Sequence, residues 1–462
     1  MRTETTSADE LTRGHSFRGQ VIGPSDPAYD FQRRVWNGSI DRRPALIARC
    51  HDVADVRAAL AYGRASRLPI AVRGGGHSFP GLSVCDDGIV IDLGPMKRIE
   101  VDSEARTVRV QPGALLGELD RATQRFGLAV PLGSVTHTGV AGLTLGGGFG
   151  WLMRKLGLAI DQLSSVQLVT ADGDVVRADR DEHPDLFWAV RGGGGNFGIV
   201  IEFEFRLNPV GPLVLSGLLL WPMEQGASVG RSYRDWARTA PDELTTALVL
   251  RRAPALETIP EALHGQPVVA VGVCWIGGPE EGERVLEPMR SGVPGDVDLV
   301  GARPYVDHQA MFDASFPHGI WIHSKAADVA ALTDDVIDVL LEHAARNASP
   351  RSGIIAWQLG GAVGRVGELA TPFGSRGSGY LVDILGATDG ADGFAEQRDW
   401  ARACWADLAP HRTGAYVNWM MDEGPDGVRE AYGAERYARL QSIKRRYDPN
   451  NVFRLNQNIV PA

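Results

Sequence analysis

Apolar and polar positions along this chain alternate between a helical and an extended period. Val53, Val56 and Leu60 recur at three- and four-residue spacing, which predicts one apolar helix face. The apolar run Ile70-Ala71-Val72 predicts a short buried strand that leads into Gly74-Gly75-Gly76, and Gly88 to Leu93 predicts a second. Thr107 to Val110 reads as another strand, followed by a helix from about Ala114 to Phe126 that Gly127 closes in the left-handed region. Val166 to Thr170 and Val175-Val176 flank Asp172-Gly173, the pair a two-residue hairpin turn requires. Ile199, Ile201, Phe203, Phe205 and Leu207 alternate with Val200, Glu202, Glu204 and Arg206, a strand with one wet face.

Pro209, Gly211 and Pro212 mark a boundary. Beyond it, Leu248 to Leu250, Val268 to Val273 and Ile354 to Leu359 read as strands, and Val329, Leu332, Val336, Val339, Leu340 and His343 as a helix face. A last helix over Ala434 to Tyr447 turns Tyr437, Leu440, Ile443 and Tyr447 to one side and stops at Asp448-Pro449. Lys444-Arg445-Arg446 reads as its solvated end. These segments predict a flexible tail over residues 1–17 and a unit over residues 18–210; the division of the rest into 211–412 and 413–462 is what the resemblance given below implies.

Composition narrows the function classes. A net charge of −10 is repelled by nucleic acid and by anionic membranes, so neither is expected as a partner. Cys50, Cys85, Cys274 and Cys404 are widely spaced and match neither a disulfide framework nor a metal site. With no apolar run of membrane-spanning length, the expectation is a cytoplasmic protein, monomer or homodimer, without a bound metal. Glycine stands out: 56 in 462 residues, against about 7% in ordinary proteins.

The excess gathers at Gly74 to Gly76, Gly146 to Gly150 and Gly192 to Gly198. The third cluster contains the spacing G-x-G-x-x-G, but a strand pattern follows it where a dinucleotide-binding βαβ unit needs a helix. What remains is backbone that can lie directly on a phosphate, because no Cβ intervenes. Three such runs suit one large ligand with a diphosphate. His77 would then stand beside it as a potential nucleophile.

Four ordered motifs carry a resemblance: Arg73-Gly-Gly-Gly-His-Ser78, Gly139-Val-Ala-Gly-Leu-Thr-Leu-Gly-Gly-Gly-Phe-Gly150, Asp185 to Gly198, and Tyr447-Asp-Pro-Asn-Asn-Val-Phe-Arg-Leu-Asn-Gln-Asn458. Together they resemble the bacterial members of the berberine-bridge-enzyme-like branch of the vanillyl-alcohol-oxidase/PCMH flavoproteins, from about Arg18 to Pro461. The resemblance implies an α+β fold: a PCMH-type FAD-binding domain of two α+β subdomains, a substrate domain built on an antiparallel sheet, and a C-terminal segment that returns to the FAD domain. It implies FAD attached by an 8α-histidyl bond to His77. The implied cofactor contacts are Arg73, Gly74, Gly75, Gly76, His77, Ser78, Ser134, Thr138, Gly139, Gly142, Gly146, Gly148, Phe149, Gly150, Gly195, Asn196, Gly198, Ile199, Val200, Asn456 and Asn458. A second, cysteinyl bond found in some members has no counterpart, because Gly133 to Thr138 contains no cysteine.

The implied activity is hydride transfer from a small secondary metabolite to flavin N5, with O2 as the second partner and H2O2 as product. The family's usual base is the last tyrosine of Tyr-x-Asn-Tyr; here the stretch is Tyr416-Val417-Asn418-Trp419, and an indole N–H only donates. Thr138, His137 and His323 are therefore the catalytic candidates, with Val140 as a residue that admits oxygen. Trp321, Trp419 and one of Trp357 and Gln358 would form the substrate wall. Two other readings stay open: an oxygenase or dehydrogenase of polyketides using a flavin N5-oxide, and a flavoprotein that sequesters a drug-like ligand without turnover. A carboxylate of the N5-oxide members falls at Ile355.

Overall fold

A computed structural model describes residues 10–12, 17–255, 257, 259–293, 295 and 297–462. Two sheets occupy the first half of the chain. In the smaller, Gln20–Ile22 pairs antiparallel with Leu46–Arg49, which runs parallel to Ile89–Asp92, itself parallel to Ile70–Arg73. The helix Val53–Ala65 links two of these strands and is capped by Asp52, whose carboxylate accepts from Asp55 N at 3.0 Å. Such a cap stabilises a helix by about 1 kcal/mol. The second sheet is antiparallel, in the order Ile99–Asp102, Thr107–Val110, Ile199–Arg206, Leu163–Val169, Val175–Ala178. The hairpin expected at Asp172-Gly173 forms, with Gly173 at φ +89°.

The larger sheet fills residues 213–414. Its order is Val297–Asp298, Leu213–Pro222, Pro267–Trp275, Leu244–Arg252, Gly353–Gln358, Tyr380–Thr388, Trp321–Val329, Arg412–Gly414, with Gly301–Pro304 also on Leu213–Pro222. All its neighbouring strands are antiparallel. One face packs on the helices Gly226–Ala237, Pro279–Gly292, Asp334–Arg346 and Phe394–Asp407 through Leu248, Leu250, Val382, Ile384 and Val329. The other presents Ala247, Val249, Ile355, Trp357, Leu381 and Leu385 to Phe149, Trp151 and Leu152 of the first half. The fold is α+β, as expected, and its halves share one core.

Several local readings change. Val329 ends a strand rather than opening a helix, because Thr333 caps the helix Asp334–Arg346. Val200 is buried, not on a wet face. Lys444 is fully buried, 2.7 Å from the equally buried Asp448, and also donates to Asn196 O at 2.7 Å. That cation belongs to the interior seam between the last helix and the third glycine cluster. The tail expected over residues 1–17 lies mostly outside the described residues; Leu11 and Phe17 are described and are buried.

Candidate active site

The two halves enclose a cavity of about 300 Å³. Strand Ile70–Arg73 delivers the first glycine run to it, the turn before helix Val140–Gly146 delivers Ser134, Thr138 and Gly139, and the helix itself delivers Gly142. The turn Gly194–Phe197 and the strand after it add Gly195, Asn196, Gly198, Ile199 and Val200. The C-terminal segment returns with Asn456, and Phe149 completes this wall. Among the described residues, none of the N–H groups from Gly74 to Ser78 donates to a protein acceptor. Buried backbone N–H groups are rarely left unpaired, so a row of them lining a cavity suits an anionic ligand such as a diphosphate.

The glycines do different jobs. A Cβ on Gly75 would meet Gly139 backbone at 2.5 Å, so the first two runs touch main chain to main chain. A Cβ on Gly142 would meet nothing within 4 Å, which leaves that position open to the cavity. Gly146, Gly148 and Gly150 do not line it. They make room for Asn418, Ala159 and the Leu132 carbonyl, at 2.1, 2.6 and 2.1 Å from a built Cβ. The second run is thus mainly a packing device.

Other expected residues also stand outside the cavity. Arg73 is buried and spends its guanidinium on Asp92, at 3.0 and 3.2 Å, and on Gln32 O at 2.6 Å. Asn458 is off the lining, with Oδ1 buried and unpaired. Val140 is fully buried in the core. His323 shares the helix-covered face with Ala327 and Val329, because side chains alternate along its strand. Trp321 sits on that same face, edge-on to Phe394 at 5.4 Å. Gln358 also turns away from the cavity, bonded to Thr246 and Ala237 O, whereas Trp357 lines it.

His77 lines the cavity, half-buried. Trp36 stacks on it at 4.0 Å and 15°, and its Nε2 lies 3.2 Å from His137 Nδ1. Confinement away from water, with two imidazoles nearby, holds His77 well below the ordinary histidine value, so the ring is neutral. His137 is off the cavity lining, behind His77.

The second wall comes from side chains of the large sheet, with Ile355, Trp357 and Asp383 on adjacent strands. Asp383 was not anticipated. It is directly opposite Ile355 in register, so the carboxylate absent from one strand stands on the next. Ser324 Oγ donates to it at 2.8 Å, and burial pushes its pKa up to about 8. A lone aspartate inside the apolar run Leu381-Val382-Asp383-Ile384-Leu385 was the signal available in the sequence. Tyr416 also lines the cavity, but its hydroxyl accepts from Gly148 N at 3.1 Å and from Asn418 Nδ2 at 2.7 Å, and burial raises it to about 12. It anchors the second glycine run. Trp419 lines the cavity and packs edge-on against Phe149 at 4.8 Å.

Comparison with known proteins locates this geometry. Residues 44–179 match the family described as FAD binding domain, and residues 415–460 the family described as berberine and berberine like. An (R)-6-hydroxynicotine oxidase of Paenarthrobacter nicotinovorans is 32% identical over 98% of this chain and 99% of its own length. An uncharacterized FAD-linked oxidoreductase of Bacillus subtilis is 31% identical over 96% and 97%. The crystal structure of 6-hydroxy-D-nicotine oxidase from Arthrobacter nicotinovorans superposes with TM-score 0.87 at 30% identity, covering 96% of this chain and 98% of that one. A glucooligosaccharide oxidase of Acremonium strictum, whose FAD is 6-S-cysteinyl and 8α-N1-histidyl, shares the fold with TM-score 0.87 at 22% identity, covering 99% of both chains.

Proposed function

Because the chain belongs to the FAD-linked oxidoreductases with a berberine-type C-terminal segment, we propose that it oxidises a small metabolite with O2, using FAD held in the cavity by a single bond to His77. The observation that carries this is the unpaired N–H row from Gly74 to Ser78, which ends beside a neutral, stacked imidazole. The four cysteines are buried away from the cavity lining, which supports one covalent bond rather than two. In this reading residues 18–210 hold the cofactor, residues 211–412 supply the substrate wall, and residues 413–462 close back on the cofactor side.

When bound, FAD would supply the two-electron redox chemistry, with O2 as the final acceptor and H2O2 as the product. The protein positions and moves the proton. Asp383 takes it from the substrate heteroatom as the adjacent carbon gives up hydride, so a carbonyl or imine leaves. A base titrating near 8 is well matched to work near neutral pH. Trp357, Phe312 and Trp419 line the same cavity and keep water from the reacting carbon. With a titratable group in place, the missing tyrosine no longer argues for mere sequestration. Anaerobic mixing with candidate alcohols, amines and phenols tests the reading. Bleaching of the yellow band, and peroxide on admitting air, is expected for a substrate. A spectral shift without reduction across every ligand that binds would overturn it.

A further inference from the structure

The seam between the last helix and the third glycine run holds a buried ion pair that takes no part in the proton step. We propose that Lys444 is the positioning residue of a cofactor latch: it fixes residues 448–459 against the glycine run, so that a docked tail and a bound dinucleotide stabilise each other. The proposal rests on the FAD reading above.

The last helix, the glycine run and the tail meet at one ammonium group. Lys444, on the helix Ala434–Tyr447, donates to Asn196 O at 2.7 Å, to Asp448 Oδ2 at 2.7 Å and to Phe453 O at 3.2 Å. An ammonium carries three N–H groups, so all of them are committed. Asp448 in turn accepts from Val452 N at 2.7 Å and from Phe453 N at 2.9 Å, which closes the turn that starts the tail on its return. Asn196 grips the far end of the tail. Its Nδ2 donates to Gly193 O at 2.9 Å and to Gln457 O at 3.1 Å, and its Oδ1 accepts from Ile459 N at 3.0 Å. Lys444, Asp448 and Asn196 are all fully buried.

This network holds one side of the cavity. Phe453, Leu455, Asn456 and Gln457 line it from the tail, and Gly194, Gly195 and Asn196 from the glycine run. The two stretches touch: a Cβ on Gly195 would meet Asn456 Oδ1 at 2.9 Å. Phe453 O, the carbonyl that Lys444 holds, also accepts from Asn456 Nδ2 at 3.3 Å. The cation therefore acts through one carbonyl on a side chain that faces the cavity.

A buried ion pair is a poor source of net stability, because desolvating both charges cancels most of their attraction. An apolar pair would pack the helix as well, but it could not hold two carbonyls in fixed places. Position is what the charged pair adds. A ligand that touches both tail and glycine run binds where both are in place, and by linkage its binding favours the docked tail by the same factor.

The test uses the full-length chain in a His77→Ala background, which removes the covalent bond so that FAD binding is reversible. Hydrogen exchange is followed at Val452 N, Phe453 N and Ile459 N with and without FAD. Adding FAD should slow all of them, and unchanged exchange at saturating FAD would overturn the proposal. The dissociation constant of FAD is then measured in the double variant Lys444→Met/Asp448→Asn, which removes both charges and keeps an oxygen for the tail amides. Its cofactor-free melting temperature should stay near that of the parent, while the constant rises about 5- to 150-fold, the ordinary range of coupling between sites. A folded double variant that binds FAD as tightly as the parent would sink the idea. A purely structural pair would do the reverse, lowering the melting temperature and leaving the constant alone. Lys444→Arg, which keeps the charge and moves the donors, carries the same measurement if the double variant does not fold. A parent that takes up no FAD would instead overturn the reading beneath the proposal.

Discussion

The two walls of the cavity are built from different materials. One is main chain: three glycine-rich segments and the returning C-terminal tail, close enough that Gly75 and Gly139 leave no room for a methyl between them. The other is side chain: every second residue of strands in a broad antiparallel sheet, with Asp383 as its one carboxylate among the described residues. In the proposed function the backbone wall would grip what all FAD molecules share, and the side-chain wall would decide what may approach and where its proton goes. Substitutions should therefore separate cofactor retention from turnover, according to the wall they strike.

The largest effect belongs to the backbone wall. Gly75→Ala and Gly139→Ala each drive a methyl against main chain, so flavin content and soluble yield should both collapse, read by absorbance and recovery. Gly142→Ala is the control that sharpens the contrast. It meets no neighbour within 4 Å, so the fold should persist while flavin affinity falls.

On the side-chain wall, Asp383→Asn should lower kcat/KM by about 10²- to 10⁴-fold, the range for losing a general base, with acid-stable flavin unchanged. Equal loss of flavin would erase the distinction between the walls. The pH profile refines this. Asp383 must be ionised to accept a proton, so kcat/KM should rise with pH through an inflection near 8, and Asp383→Asn should lose that inflection. His323→Gln, on the helix-covered face, should leave both flavin content and kcat/KM near wild type.

The smallest effect tests burial alone. Asp120, on the helix Leu116–Gln124, is buried against Gln309 and away from the cavity lining, and burial raises it to about 7, above its value in an unfolded chain. The folded state then binds a proton that the unfolded state has released. Stability is therefore lost as pH rises from about 4 to about 7. The melting temperature of Asp120→Asn should gain on wild type between pH 5 and pH 8.

The sequence disclosed these walls unequally. Gly74 to Gly76 and His77 were readable because a glycine cluster before a histidine needs no knowledge of side-chain direction. On the facing wall Trp419 and one of Trp357 and Gln358 were expected and Asp383 was not, because Gly353–Gln358 and Tyr380–Thr388 are buried on both faces, which hides the direction of each side chain. Their alternation sends Trp357 to the cavity and Gln358 to the helices, a choice only the packed sheet makes. His323 was misplaced for the same reason. Lys444 was misread because a basic run at a helix end, Lys444-Arg445-Arg446, looks solvated, whereas here tail and helix enclose Lys444 together with Asp448. Gly146, Gly148 and Gly150 show the limit of the glycine signal itself: close packing against protein leaves the same mark as close approach to a ligand.

The measurement that bears most directly on the cavity's proposed content is the intact mass of the purified chain after acid denaturation, followed by sequencing of any yellow peptide. The expected result is a polypeptide heavier by one FAD, with the flavin on His77 and on no cysteine. A colourless chain at its bare sequence mass, which gains neither colour nor thermal stability when FAD is added, would contradict it.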